Sequence, residues 1–230
     1  MTAHPQIPLD LFWRPAMGAE DFLVAPSNRS AVAWIDRWPD WPAPALVVHG
    51  PPGCGKSHLL QVWRTRSAAA LVRGRDLTVE GVPTLLDAPA VAVDDAREAA
   101  GDPARERAFF HLYNLARERG AKILLAADAP PARWGVSLPD LASRLNAAPS
   151  VAVEPPDDAL LAALMVKLAA DRHLGLPEET LGFLLPRVER SFDFARRLVA
   201  ALDRASLAAR RPATVPLARS VLAGMLEELE

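Results

Sequence analysis

The chain has 230 residues, half of them apolar, with a formal net charge of −2 and a single cysteine, Cys54. That length can bury one sizeable core plus a small satellite, which excludes a peptide-sized module, and one cysteine excludes an internal disulfide framework. The near-neutral balance argues against tight unaided DNA binding through a bulk field. No basic leader precedes an apolar core, and no run reaches the roughly 18 apolar residues of a membrane span, so a soluble cytoplasmic protein is expected.

Met1 to Leu11 carries Pro5 and Pro8, lacks a periodic apolar face and reads as an extended tail, residues 1–11. From Phe22 the pattern becomes compact: Pro26, Ser27 and Asn28 supply a helix start, followed by Val32, Trp34, Ile35 and Trp38 before Pro39. Short apolar runs at Ala45–Val48, Val91–Val93, Lys122–Ala126 and Val151–Val153, with a weaker one around Ala69–Val72, suit strands buried on both faces of a parallel sheet. Between two of them, Asp102 and Pro103 open a helix carrying Phe109, Leu112, Tyr113 and Ala116 up to Gly120. This alternation predicts an α/β domain over residues 12–155. After Pro155 and Pro156 the pattern turns wholly helical, giving a lid over residues 156–230. Its first helix is capped by Asp157 and closed by Gly175, and Pro186 should end or kink the second.

Gly50, Pro51, Pro52, Gly53, Cys54, Gly55, Lys56 and Ser57 fit G-x-x-x-x-G-K-[ST] between a strand and a helix that begins with His58, Leu59 and Leu60. Glycines in such a loop let consecutive N–H groups face phosphates, and the helix N-terminus adds partial positive charge. Lys56 is expected on the β and γ phosphates and Ser57 on Mg2+. Cys54 at a variable loop position reads as filler rather than a redox switch. Val91 to Asp95 puts two carboxylates at the end of a buried strand. In a Walker B reading, Asp94 holds Mg2+ through water and Asp95 orients the attacking water. Asp95 is one methylene shorter than glutamate, which predicts slow intrinsic ATP hydrolysis. Asp128, just past the strand ending at Ala126, is either a contact of the γ phosphate or a turn residue before Pro130 and Pro131. Arg144, in Leu138–Leu145, reads from its residues alone as a surface arginine on a short helix.

Together these stretches resemble the DnaA branch of AAA+ ATPases, and within it the Hda-like regulators of the replication initiator. The resemblance runs over nearly the whole chain: Phe22 and Val24–Asn28, the P-loop with His58, Val91–Asp95, Ala127–Pro131, Leu138–Leu145 and Leu202–Ser206. It implies an AAA+ P-loop parallel-sheet domain with a C-terminal all-helical lid. It also implies that Arg144 is a finger inserted into a neighbouring subunit's nucleotide site, where such arginines raise rates by about 10³ to 10⁵. On the same resemblance His58 and Asp128 are expected among the nucleotide-binding residues, with ADP or ATP and Mg2+ as the implied ligands.

Gln6, Ile7, Pro8, Leu9, Asp10 and Leu11 look like the hexapeptide by which Hda-like proteins attach to the DNA sliding clamp. Leu9 and Leu11 would enter an apolar pocket with Ile7 beside them, while Gln6 hydrogen-bonds at its edge. The lid arginine that senses nucleotide in this branch falls on Arg196 by the Phe194–Val199 pattern and on Asp193 by an ungapped reading from Leu202–Ser206; both readings stand. No helix-turn-helix pattern follows the lid, so origin sequences should not be recognised directly. The expected function is stimulation of ATP hydrolysis by a DnaA-type initiator, negatively regulating replication initiation, with DNA met through the clamp and head-to-tail geometry that allows a homodimer. Two rivals are a helicase-loading or DNA-remodelling ATPase, which needs a basic or aromatic groove, and a non-catalytic nucleotide-binding clamp adaptor.

Overall fold

The computed structural model describes residues 12–14 and 22–227, so the tail residues Gln6, Ile7, Leu9 and Leu11 lie outside the described part. In chain order the elements are β1 Phe12–Arg14, β2 Phe22–Val24, α1 Arg29–Asp36, β3 Ala45–His49, α2 Lys56–Ser67, β4 Ala70–Arg73, α3 Val82–Leu85, β5 Ala90–Asp94, α4 Pro103–Arg119, β6 Lys122–Ala127, α5 Pro139–Ala147 and β7 Ser150–Ala152. Four further helices follow: α6 Asp158–Ala170, α7 Glu178–Leu184, α8 Phe192–Ala209 and α9 Val215–Glu227. The chain divides into two compact units, one covering Trp13–Glu154 and the other beginning at Pro155.

In the first unit, β1 and β2 form a two-stranded sheet, and the main sheet has the order β4-β5-β6-β3-β7 with every pairing parallel. The three inner strands are the continuous apolar runs read from the sequence. Their side chains alternate between two cores, as a period of two requires. Ala45, Val47, Val91, Val93, Ile123 and Leu125 face α4 and α5 through Phe109, Leu112, Tyr113, Leu141 and Leu145. Leu46, Val48, Ala90, Ala92, Leu124 and Ala126 face α1 and α2 through Ala31, Ile35, Leu59, Leu60 and Trp63. The edge strand β4 buries neither face fully, and Leu71 is exposed on it. The second core is finished by tryptophans: Trp41 stacks on Trp63 at 5.5 Å between ring centroids, and Trp38 meets Trp63 edge-on at 6.2 Å.

The second unit packs α6, α8 and α9 around Leu161, Met165, Leu184, Phe194, Leu198, Leu202 and Leu222. Its helices start where short polar side chains meet exposed backbone donors. Asp157 accepts from the Leu160 N–H at 2.7 Å, and Ser191 accepts from the Phe194 N–H at 3.3 Å. α7 stops at Leu184 and passes into a 3-10 turn, Leu185–Arg187, in keeping with the missing N–H of Pro186. Gly175 does not close α6. The helix ends at Ala170, and His173, at φ 54°, takes the left-handed turn that the sequence assigns to the glycine, while the Leu174 N–H returns to the Ala169 carbonyl at 2.8 Å. β7 likewise begins one residue earlier than its apolar run, at Ser150.

Replacing Asp157 with alanine strips α6 of its side-chain cap. Urea denaturation of the full chain should show the Pro155–Glu227 unit destabilised by about 0.5–2 kcal/mol, with an unchanged transition for Trp13–Glu154.

Candidate functional site

The loop between β3 and α2 is shaped by close backbone approaches. The Gly50 N–H donates to the Ala127 carbonyl at 3.2 Å, and the Val153 N–H donates to the His49 carbonyl at 2.7 Å. A Cβ on Gly50 would lie 2.1 Å from the Val153 oxygen, so no other residue fits there without moving β7's continuation. Gly53 and Gly55 take φ values of 71° and 99°, in the left-handed region that favours glycine. Pro51 and Pro52 are exposed on the loop, whereas Cys54 is 1% exposed beneath it. Burial raises the Cys54 thiol pKa, against the opposing pull of Lys56. That protonated, enclosed sulfur is consistent with filler.

α2 then starts at Lys56. Its ammonium donates to the Gly50 and Pro51 carbonyls, both at 2.8 Å, which folds the side chain over its own loop. Ser57 sits exposed in the first turn and donates from Oγ to Asp94 Oδ1 at 3.2 Å; His58 follows it, half-buried. The same Asp94 oxygen accepts the Asp95 N–H at 3.1 Å, so the carboxylate at the end of β5 is oriented from two sides. A hydroxyl and a carboxylate this close, at the N-terminus of a helix and beside a lysine, suit a magnesium polyphosphate, with most ligands of the ion coming from water and phosphate. His49 is lowered by burial and then by Lys56 and Arg133.

Asp95 lies on the turn after β5 with φ 48° and ψ 43°, left-handed for a non-glycine residue. Gly74 makes room for it, since a Cβ there would stand 2.4 Å from the Asp95 carbonyl oxygen. Such a conformation costs about 1–3 kcal/mol and is retained where the surroundings fix it. The Asp95 carboxyl is raised, first by partial desolvation and then by Asp94 and Glu98. Asp128 follows β6 and forms an ion pair with Arg97, Arg97 Nη1 to Oδ2 at 2.8 Å, both side chains about half exposed. Arg97 went unnoticed in the sequence. Its only signal is a place three residues after Asp94, and the register of β5 on β6 is what turns that place toward Asp128.

Arg144 is set by α4 and α5. Its guanidinium carbon lies 4.5 Å from the centroid of the Phe110 ring and 5.8 Å from that of Tyr113, and its Nη1 is buried without a hydrogen-bond partner. It is therefore folded onto α4 rather than extended as a surface arginine. The start of α5 is fastened by Glu106, a 2% exposed carboxylate that was also missed in the sequence. Glu106 accepts from Gly101 N at 2.8 Å, Ser137 N at 2.9 Å and Leu138 N at 2.8 Å. Burial pushes its pKa up, but the backbone donors together win and leave it lowered. Arg196 is exposed on α8, and the rival position Asp193 pairs with Arg197 at 3.1 Å; both belong to the second unit.

Residues 157–222 match the family described as the Hda lid domain. Domain III of the replication initiation protein DnaA from Thermotoga maritima superposes with a TM-score of 0.73 at 21% identity, covering 88% of this chain and 94% of that one. AMPPCP-bound DnaA from Aquifex aeolicus gives 0.65 at 21% identity over 78% of this chain, which spans 62% of that protein. The Thermotoga maritima RuvB branch-migration motor gives 0.67 at 12% identity, with coverages of 86% and 67%. The resemblance read from the sequence thus holds at two levels: the lid sequence matches the Hda lid family, and the fold is the AAA+ P-loop fold of DnaA with a parallel five-stranded sheet.

Two outcomes are expected. Gly50→Ala drives a methyl group into the Val153 carbonyl and should lower stability by at least about 1–3 kcal/mol in thermal melts. Because the Glu106 pKa is lowered on folding, its contribution is present above the unfolded value of 4.5 and is lost as pH falls through the lower folded value. Acid titration of stability should therefore be shallower below about pH 4.5 in Glu106→Gln, from a lower plateau at neutral pH.

Proposed function

We propose that this protein is a DnaA-related AAA+ regulator that binds adenine nucleotide and stimulates ATP hydrolysis on a DnaA-type initiator, acting from the DNA sliding clamp and thereby restraining replication initiation. The observation that carries this reading is the match of residues 157–222 to the Hda lid domain, joined in one chain to a P-loop module. The AMPPCP-bound state of the Aquifex aeolicus DnaA supports a nucleotide, ADP or ATP, as the ligand of the equivalent fold here.

The residues divide the work as follows. Loop amides from Gly53 to Ser57 and the N-terminus of α2 hold the phosphates, with Lys56 turning from the Gly50 and Pro51 carbonyls to the β and γ oxygens. Bound magnesium would neutralise phosphate charge; Ser57 and Asp94, already 3.2 Å apart, would hold it. Asp95 positions water and accepts its proton. It reaches less far than glutamate, and on-site turnover is slow. Asp128, held by Arg97, faces the same sheet edge. Arg144 acts elsewhere, entering the nucleotide site of the initiator and stabilising charge on the phosphoryl group in transfer. The segment Gln6–Leu11 tethers the chain to the clamp, so DNA is met indirectly; Arg196 is the lid's candidate for nucleotide sensing.

The test is ATP turnover by the initiator with clamp-loaded DNA. Arg144→Ala should lose most of the stimulation, out of the roughly 10³- to 10⁵-fold that a fully inserted arginine supplies. Deleting residues 6–11 should abolish capture by purified clamp while leaving nucleotide uptake intact. Full stimulation by Arg144→Ala would overturn the finger role, and clamp capture by the deleted chain would overturn the tether.

A further inference from the structure

Glu106, Phe110 and Tyr113 recur at i, i+4 and i+7 on α4, which places them along one face of the helix. Each of them engages the region of α5. Glu106 fastens Ser137 and Leu138, the residues from which α5 starts, and the N-cap Leu138 supplies no side-chain cap of its own. One helical face thus fixes the start of the neighbouring helix and, one and two turns on, receives that helix's arginine on the rings of Phe110 and Tyr113 at 4.5 and 5.8 Å.

The two ends of this contact differ in strength. Glu106 is a buried carboxylate whose acceptor capacity is used by three backbone amides. Arg144 gains attraction to the ring faces but keeps Nη1 buried without an acceptor, and an N–H in that state opposes the conformation that encloses it. The backbone of α5 is held firmly while the guanidinium is held loosely. An oxyanion within reach of the released side chain supplies the acceptor that the folded position lacks.

We infer that Phe110 and Tyr113 are positioning residues that keep Arg144 folded against α4 until a polyphosphate on a second AAA+ subunit draws it out, Glu106 keeping α5 in place meanwhile. This rests on the finger role given above for Arg144. The device acts before engagement: it stabilises the resting side chain and leaves the inserted one unchanged. Its cost therefore falls on apparent affinity and not on maximal rate, because a competent state populated in part weakens binding by that fraction.

Two measurements test it in the full-length protein. The first is initiator ATP turnover against regulator concentration on clamp-loaded DNA. Phe110→Leu, which keeps apolar volume without a ring face, should lower the half-saturating concentration by about two- to five-fold at unchanged maximal rate. Phe110→Trp, with the stronger ring face, should raise it by a similar factor. Opposite signs for leucine and tryptophan are not what a purely structural residue gives. Equal half-saturation in all three proteins, or a loss of maximal rate in both variants, overturns the inference. The second is labelling by phenylglyoxal mapped by mass spectrometry, which needs no initiator. Arg144 should label more slowly than exposed Arg196 in the wild type and severalfold faster in Phe110→Leu. Labelling unchanged by Phe110→Leu overturns the inference. Faster labelling together with full stimulation by Arg144→Ala upholds the folded resting position and sinks the finger role instead.

Discussion

The geometry at the ligand edge of the sheet depends on a backbone packed against backbone at Gly50. Its N–H is bonded to β6 through Ala127, and its Cα stands where a methyl group would collide with the Val153 carbonyl. The loop therefore leaves β3 from one fixed point, pinned from both neighbouring strands. Everything that follows takes its place from that exit: the left-handed glycines, the start of α2 at Lys56, and the approach of Ser57 to Asp94 across the sheet. Steric exclusion at close range rises steeply with displacement, whereas the nearby side-chain contacts Ser57–Asp94 and Arg97–Asp128 are exposed and individually worth little. The half-exposed Arg97–Asp128 pair belongs to the class that contributes about 0–1 kcal/mol, so it orients groups more than it holds the fold.

A second fixed point lies on the other face of the sheet. α4 packs there through Phe109, Leu112 and Tyr113, and carries Glu106 to the chain segment before α5. A buried carboxylate is costly to desolvate, and here three amides compensate it, so removing it would leave those donors without partners in a largely buried place. The sheet thus separates two chemistries. The P-loop and the Asp94–Asp95 turn belong to its edge, and Arg144 belongs to a helix pair packed on one face.

Local pattern was enough for much of this. Three inner strands were legible because apolar runs of three to five residues, closely following one another between helical stretches, suit a sheet covered on both sides. The P-loop was legible because glycine spacing, a preceding strand and a following amphipathic start all coincide. The ends of helices were less so. Gly175 looked like the stop of α6, yet His173 adopted the left-handed turn first, and no rule of composition says which of two nearby residues will do so. Arg97, Glu106 and the ring pair under Arg144 were illegible for a plainer reason: their partners lie about thirty residues away, at Asp128, Ser137 and Arg144, and only the register of β5 on β6 and the packing of α4 on α5 bring them together. A charge or an aromatic on an amphipathic helix carries no mark of which distant group it will meet.

The tryptophans beneath α2 add a property of another kind. Trp63 is fully enclosed on the helix that the P-loop feeds directly, two turns after Lys56, and its indole lies against those of Trp38 and Trp41. Stacked indoles exchange excitation energy and quench one another according to separation and tilt. Any rotation or slide of α2 is consequently written into the ultraviolet emission of the native chain, and the protein carries an optical gauge of its own phosphate loop without a dye attached.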